Sequence, residues 1–508
     1  MFKKRREKKV EEKAVIEKQQ PKTKTSLEKT NWVEELSTSN DFVNDHTSSE
    51  KTEPFWISYF RTLVLSETLH RDVVPYLSES HSLNKVKNSI PIQQTVVTSD
   101  KKLIKEKLLQ GFAAIRLSDQ DTECLLVNVA NNKFRDISFP MMESTALGPQ
   151  AGYVEEIDTN INLIRKHLPS TDLHVKEMQV GKLSSTKVAV IYMDSIADKD
   201  NVETVLQRIN DVQYDHISDS SYLASMIEDN TNSLFPQIIP TERTDRTIAA
   251  LTEGKIVIVV DGSPDVLIAP ITLAESVVAM EDYYVPWLIA NYLRLVRLFG
   301  LFVSIVISPL YIAVLTYHYE LIPAKLLDSL VASRAAVPFP PIIEVLILEI
   351  SVEFIKESSL RLPTKIGTTL GIVGGIVIGQ AIVEAKLTSS ILIILVGLST
   401  LASYTSAIYK FNNSVRLVKY PIIVMAQFLG MIGIVIGLNF LLVHLLRLTS
   451  LGRPYIGFYP FRKNMFKDLW VRLPFSMQKE NPDNLRPQVK QKAVFNRRSP
   501  GPPSDFDE

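Results

Sequence analysis

The side chains best suited to chemistry stand where charge is least expected. In the run PFPPIIEVLILEISVEF (338–354), Glu344, Glu349 and Glu353 interrupt an otherwise apolar stretch. An acidic group at mid-bilayer costs on the order of a few kcal/mol even on lenient insertion scales, so lipid exposure of all three is disfavoured. Glu349 and Glu353 are four residues apart and share a helix face, with Glu344 to one side. Two kinds of use fit: an aqueous path for cations, since acidic rings favour cations in pores, or a structural role. The structural role is either an ion pair with Arg334, Lys356 or Arg361, or a place at the water interface.

No other constellation rivals this one. The chain has no GxGxxG, Walker loop or nucleophile elbow, and its eight histidines show no HExxH or comparable spacing. A single cysteine, Cys124, excludes an internal disulfide and any cysteine-cluster zinc site, and reads as an inert, partly buried thiol. The expectation is therefore no enzyme, no cofactor and no metal.

The elements that must hold the glutamates are helical and apolar. Full spans fit 298–317, 366–383, 390–409 and 421–446, each close to the roughly 20 residues a bilayer needs. The stretch EDYYVPWLIANYLRLVR from 281 reads as a helix lying in the interface. Pro338, Pro340 and Pro341 give the glutamate segment a rigid non-helical entry, so it becomes a short helix over 341–356, re-entrant or packed inside a bundle. Gly367, Gly371, Gly375 and Gly379 recur every four residues, which puts a small-residue face on the second span, for packing within the chain or between copies.

Against that half, the first 280 or so of 508 residues are mixed and charged. Lys plus Arg and Asp plus Glu both total 56, so nothing draws the chain towards nucleic acid. Residues 1–50 read as a disordered basic and polar arm, with KKRREKK near its start as a possible lipid-headgroup contact, and 476–508 as a disordered tail. Between them lie a first lobe (51–145), a second lobe (146–275) and the membrane domain (281–475). FWISYFRTLVLSETLH has helical periodicity, whereas FAAIRL (112–117) and ECLLVNVA (123–130) read as paired strands. DTNINLIRKHL reads as a helix capped by Asp158 or Thr159, LHVKEMQVG and KVAVIYMD as strands, and VETVLQRIN as a helix. In KIVIVVDGSPDVLIAPI (255–271) two apolar runs flank a turn signal, so a hairpin is expected. The fold class is thus multidomain: a cytoplasmic α/β (α+β) N-terminal region of one or two lobes, followed by an all-α polytopic membrane domain.

The absent signal peptide keeps the N-terminal region in the cytoplasm, and the basic residues after 446 put the tail there too. Both ends inside requires an even number of spans. Four spans leave Arg416 and Lys419 on the outside, so either 341–356 does not cross or it has a partner not counted.

Taken together, ordered motifs over 145–475 resemble the A subunits of GerA-type spore germinant receptors, including the related SpoVAF proteins. They are GPQAGYVEEIDTNINLIRKHL (148–168), FPQIIPTERTDR (235–246), EGKIVIVVDGSPDVLIAP (253–270), EDYY (281–284), PFPPIIEVLILEI (338–350), RLPTKIG (361–367), VGGIVIGQAIVEA (373–385), GRPY (452–455) and RLP (472–474). The chain departs at Thr244, where the family usually has ERPD, and at Leu348, where methionine is common; the first 145 residues match only loosely. The resemblance implies a multi-pass protein of the spore inner membrane that acts in nutrient-triggered germination with a transporter-like B subunit and a lipoprotein C subunit. It also implies a homo-oligomeric, ligand-gated channel for monovalent cations, in which the three glutamates line the cation side and the glycine face packs subunits. Within the family, a SpoVAF-like amplifier channel and a non-conducting scaffold of the complex remain alternatives; a secondary transporter is weak, because only one Pro-interrupted segment occurs.

Overall fold

The computed structural model describes residues 32–49, 52–77, 82–119, 121–131, 140, 143, 145, 147–361, 375–377, 379–456, 470–474, 477–478 and 485–489. It divides into two compact units, one ending at Asn131 and one beginning at Asn132.

The first unit is built on five strands: β1 (Phe42–Ser49), β2 (Thr52–Phe60), β3 (Thr95–Thr98), β4 (Phe112–Arg116) and β5 (Cys124–Asn128). Their order is β1-β2-β4-β5-β3, with every pairing antiparallel. Helix α1 (Lys101–Leu109) joins the edge strand β3 to β4. One face of the sheet buries Phe55, Ile57, Ile115 and Leu125, the other Phe60, Leu108, Ala114 and Leu126. That two-sided cover corrects the helical reading of 55–70: Phe55–Phe60 alternates between two cores as a strand, and the helix begins only at Ser66. The expected arm also shrinks. Trp32, Val33, Leu36 and Phe42 are buried in the second core, so 32–49 is folded, while 1–31 and 50 lie outside the described residues. Cys124 is fully buried in β5, and burial pushes its thiol up to about 12, far from the thiolate a reactive cysteine needs.

The second unit starts with a lobe of the same plan. After α2 (Ile157–His167) come β6 (Leu173–Val180), β7 (Thr186–Met193), α3 (Lys199–Asn210), α4 (Ser220–Ile227), β8 (Ile239–Thr241), α5 (Thr244–Glu253), β9 (Ile256–Val260) and β10 (Val266–Ala269). Strand order is β6-β7-β9-β10-β8, again antiparallel throughout. The expected hairpin over 255–271 forms, pairing Val259 with Val266. Helix α2 begins two or three residues earlier than expected, with Glu156 rather than Asp158 or Thr159 at the N-cap position.

The helical part differs from the expected set of spans. Residues 287–317 form one helix, α6 (Trp287–Tyr317), so the interface segment and first span are continuous, and Pro309 does not end it. An exposed helix α7 (Ala324–Arg334) follows. The glutamate helix α8 runs Pro341–Arg361, five residues past the expected end and roughly 31 Å long at 1.5 Å per residue, because nothing breaks it after Lys356. A helix over Gly375–Glu384 precedes α9 (Ser390–Ser403), which stops well short of 409. The polar stretch after α9 is a tether: the Ser406 hydroxyl donates to the Ser276 carbonyl at 2.7 Å.

The last helical run, α10 (Tyr409–Arg447), is a hairpin, since Gly430 breaks it with φ 61° and ψ −136°. Three contacts fix the fold-back. A Cβ on Gly433 would collide with the Met425 carbonyl, and one on Gly437 would lie 2.9 Å from Ile422. At the foot, Phe411 of the first arm (409–429) and His444 of the second (431–447) meet the same ring, Phe235, at 5.8 and 6.1 Å between centroids. At the tip, the Tyr317 hydroxyl sits 2.9 and 3.1 Å from the carbonyl oxygens of Gln427 and Phe428. The expected span 421–446 therefore falls on two arms, and the first of them begins at 409.

Beyond the hairpin the chain is sewn to the second lobe. Ser450 Oγ donates to the Gln237 carbonyl at 2.6 Å, the Leu273 N–H donates to the Tyr455 carbonyl at 3.0 Å, and Asp229 accepts the Gly452 N–H at 2.8 Å. Part of the expected disordered tail is ordered as well: Leu485 is buried, and the Gln488 backbone and side chain donate to the carbonyls of Ile196 and Ala197.

Candidate functional site

Helix α8 starts where the prolines allow it. Pro341 occupies the first helical position, where its missing N–H costs nothing, and the Pro340 carbonyl accepts the N–H of Ile343 at 3.0 Å. From there the three glutamates enter the bundle at successive depths. Glu344 is fully buried and Glu349 nearly so, while the Glu353 side chain keeps 39 % of its surface.

Each glutamate has a basic partner. Arg334, at the end of α7, donates to Glu344 Oε1 at 2.8 Å, and the Ser389 N–H donates to Oε2 at 3.2 Å. Lys419 Nζ donates to Glu349 Oε2 at 2.6 Å, and Ser308 Oγ of α6 donates to Oε1 at 2.7 Å. Arg416 pairs with Glu353, and its guanidinium lies 5.8 Å from the Tyr404 ring centroid. One turn further, Lys356 Nζ donates to Asn413 Oδ1 at 2.9 Å. Numbers that rise along α8 fall along the first arm, so these two helices run antiparallel with a ladder of charge between them.

Arg334 is among the partners the charge pattern names, but Lys419 and Arg416 are not. Lys356 turns to Asn413 instead, and the Arg361 side chain lies outside the described residues. The missed partners follow from the missed arm: with 409–429 taken for loop and span edge, Arg416 and Lys419 fall outside the bundle. Taking two charges out of water costs several kcal/mol each, and pairing returns it only while both partners stay, so the Glu349–Lys419 pair stands or falls as a unit.

Gly367 and Gly371 lie outside the described residues. Around Gly375 and Gly379, no described atom outside their own helix backbone and chain neighbours comes within 4 Å of where a Cβ would stand. Close helix approach occurs instead at Gly300, against Thr405, and at Gly433 and Gly437 between the hairpin arms.

A second polar cluster ties the lobe to the foot of the bundle. Arg243, at the N-cap position of α5, donates through Nε and Nη2 to Asp245 at 3.0 and 2.7 Å, and Nη2 reaches the Pro149 carbonyl at 3.3 Å. Tyr284, just ahead of α6, donates to Asp245 Oδ2 at 2.6 Å. Burial raises the Asp245 carboxyl, but the bonds from Arg243 and Tyr284 outweigh it and hold it below the usual carboxylate range. Buried Asp282 then accepts from Arg294 at 3.1 Å and Arg297 at 2.8 Å, both on the first turns of α6, while Arg472 donates to the Val285 carbonyl at 2.5 Å.

Comparison with known proteins places the chain in a family. The family model described as "Bacillus/Clostridium GerA spore germination protein" matches residues 30–484. Spore germination protein GerIA of Bacillus cereus is 48 % identical over 91 % of this chain and 70 % of its own length. GerQA of the same organism is 44 % identical over 91 % and 92 %, and spore germination protein A1 of Bacillus subtilis 34 % identical over 88 % and 94 %. Among solved structures, the N-terminal domain of the A subunit of the Bacillus megaterium spore germinant receptor GerK3 aligns at 23 % identity and a TM-score of 0.35, over 47 % of this chain and 91 % of that one, too loose a superposition to build on. The chain belongs to the GerA family of spore germination proteins.

Proposed function

We propose that this chain is the A subunit of a nutrient germinant receptor, and that several copies of its helical bundle form a gated path for monovalent cations in the spore inner membrane. The α/β lobes face the spore core, and the transporter-like B subunit and lipoprotein C subunit complete the receptor. No catalytic step is assigned to it.

The observation that carries this reading is the charge ladder inside an apolar shell. Helix α6 is long and apolar enough to cross a membrane, and so is the Tyr409–Arg447 run taken as one length, which Gly430 folds into two arms. Leu288, Tyr292, Leu295, Phe299 and Phe302 stand exposed along α6 at alternating steps of four and three, an apolar stripe that water does not favour. In the described arrangement Lys419 and Ser308 already occupy Glu349. A permeating cation has to displace that ammonium, so this arrangement is the closed one, and opening parts the first arm from α8.

The scaffold reading has one observation in its favour, that all three glutamates are already paired within the chain. Potassium release from spores carrying Glu349→Gln together with Lys419→Met separates the two, because removing both charges avoids leaving one buried alone. The channel reading expects wild-type abundance with release slowed several-fold. Wild-type release at wild-type abundance sinks it in favour of the scaffold.

A further inference from the structure

Between the second lobe and the foot of the first arm lies an open cleft of about 330 Å³, within the size range of small-molecule sites. The lobe contributes Ser221, Ser225 and Glu228 from α4 and its end, the arm contributes Lys410 and Asn413, and Phe235 lines the apolar side.

Two opposite charges border this space without meeting. Lys410 Nζ reaches only as far as Ser221 Oγ, at 3.3 Å, and Glu228 Oε1 accepts the Gln237 N–H at 3.3 Å. The other two basic residues of the same arm, Arg416 and Lys419, each hold a carboxylate. Burial pushes the Glu228 carboxyl up, and the Gln237 N–H and the Lys410 charge draw it back only in part. A half-buried acid gains most from a cation brought to it, and an ammonium with one long neutral bond gains most from an anion. Both demands are met by one molecule carrying both charges.

We propose that this cleft binds a compact zwitterion, its cationic group on Glu228 and its anionic group on Lys410. A free amino-acid-like solute and a zwitterionic lipid headgroup share that chemistry. The occupant bridges the lobe to the arm that bears Arg416 and Lys419, so it stabilises one setting of the lobe against the bundle. This goes beyond the channel reading and does not depend on it.

The test is isothermal titration of the purified full-length chain with β-alanine, phosphoethanolamine, acetate and ethylammonium. Saturable binding of a zwitterion is expected, weakened on the order of ten- to a hundredfold by Glu228→Gln and by Lys410→Met. Acetate and ethylammonium bind at least tenfold more weakly. Tighter β-alanine identifies a free solute, tighter phosphoethanolamine a headgroup; either supports the site. Ser225→Phe, at an exposed position, fills the cleft with both charges kept and abolishes binding. The proposal is overturned if neither zwitterion binds, if either charge variant keeps wild-type affinity, or if acetate binds as tightly as the zwitterions.

Discussion

Thr98 ends the edge strand of the first lobe, and Thr241 ends that of the second; each stands thirteen residues before a glycine, Gly111 or Gly254, with φ near +90°. Each threonine hydroxyl accepts the backbone N–H two residues on, from Asp100 at 3.1 Å and from Arg243 at 3.2 Å. The following helix, glycine and hairpin correspond in order, so the two lobes are one plan used twice. What differs is the residue at the helix start. Asp100 caps its own helix, accepting the Lys102 N–H at 3.0 Å, and its carboxylate suits the positive end of the helix dipole. Arg243 cannot cap, and its charge is wrong for that end. Its bonds go instead to Asp245 and to the segment around Pro149, and Asp245 reaches Tyr284 at the entry to α6. A position that stabilises the first lobe locally thus fastens the second lobe to the helices.

The largest expected effect comes from cutting that fastening. Arg243→Ala leaves Asp245 half-buried without its guanidinium and should cost about 3 kcal/mol or more in the thermal unfolding of the full chain. Asp100→Ala should cost only about 1 kcal/mol, the usual worth of an N-cap. Equal costs would mean that the two positions do the same job after all. The glycines sharpen the likeness. A methyl at Gly111 would stand 2.8 Å from the Ala130 backbone and 2.9 Å from the Leu63 carbonyl, whereas at Gly254 the nearest atoms, both of Ile196, are 3.1 Å away. Both alanine variants carry the strain of a positive φ, about 1–3 kcal/mol, and Gly111→Ala should be the worse by a measurable margin in denaturant titrations.

A smaller effect lies at the turn before the last hairpin strand. Glu123 of the first lobe is exposed there, while Asp265 of the second is half-buried near Glu242, Asp219 and Glu143. Burial first, and those acids second, raise the Asp265 carboxyl to about 6 from an ordinary value near 4. The folded protein therefore holds that proton more tightly than the unfolded chain. The stability it lends is full below about pH 4 and is lost as pH rises through about 6. Asp265→Asn should raise the melting point at pH 7.5 by an amount worth about 1 kcal/mol after solvent screening, and the gain should vanish at pH 4. A gain equal at both pH values would remove ionisation as its cause.

How much of this the residues disclose depends on period and punctuation. The hairpins of β4–β5 and β9–β10 are legible because apolar runs flank polar turns. Strands β1 and β2 are not: β1 reads FVNDHTSS, too polar to announce a strand, and β2 has both faces covered, so its apolar residues lose their alternation. The glutamates announce themselves by cost alone, and that cost says they are sheltered without saying by what. Their partners stay hidden because Gly430 sits within an apolar run already rich in glycine, where one more predicts nothing. Only the packed arms show that this glycine turns the chain round.

That turn leaves one further mark on the molecule. A helix that reverses within its apolar run strands the last carbonyls of its first arm, and Tyr317 from another helix brings one proton to two of them. The same side chain also packs its ring against Gly430, where a Cβ would lie only 3.1 Å from it, and Ala313 of α6 shares a buried cluster with Ile422 and Ile434 of the two arms. The hairpin tip is thus clamped to the end of α6 by ring and hydroxyl together, and Tyr317→Phe, which keeps the ring, should cost only about 1 kcal/mol.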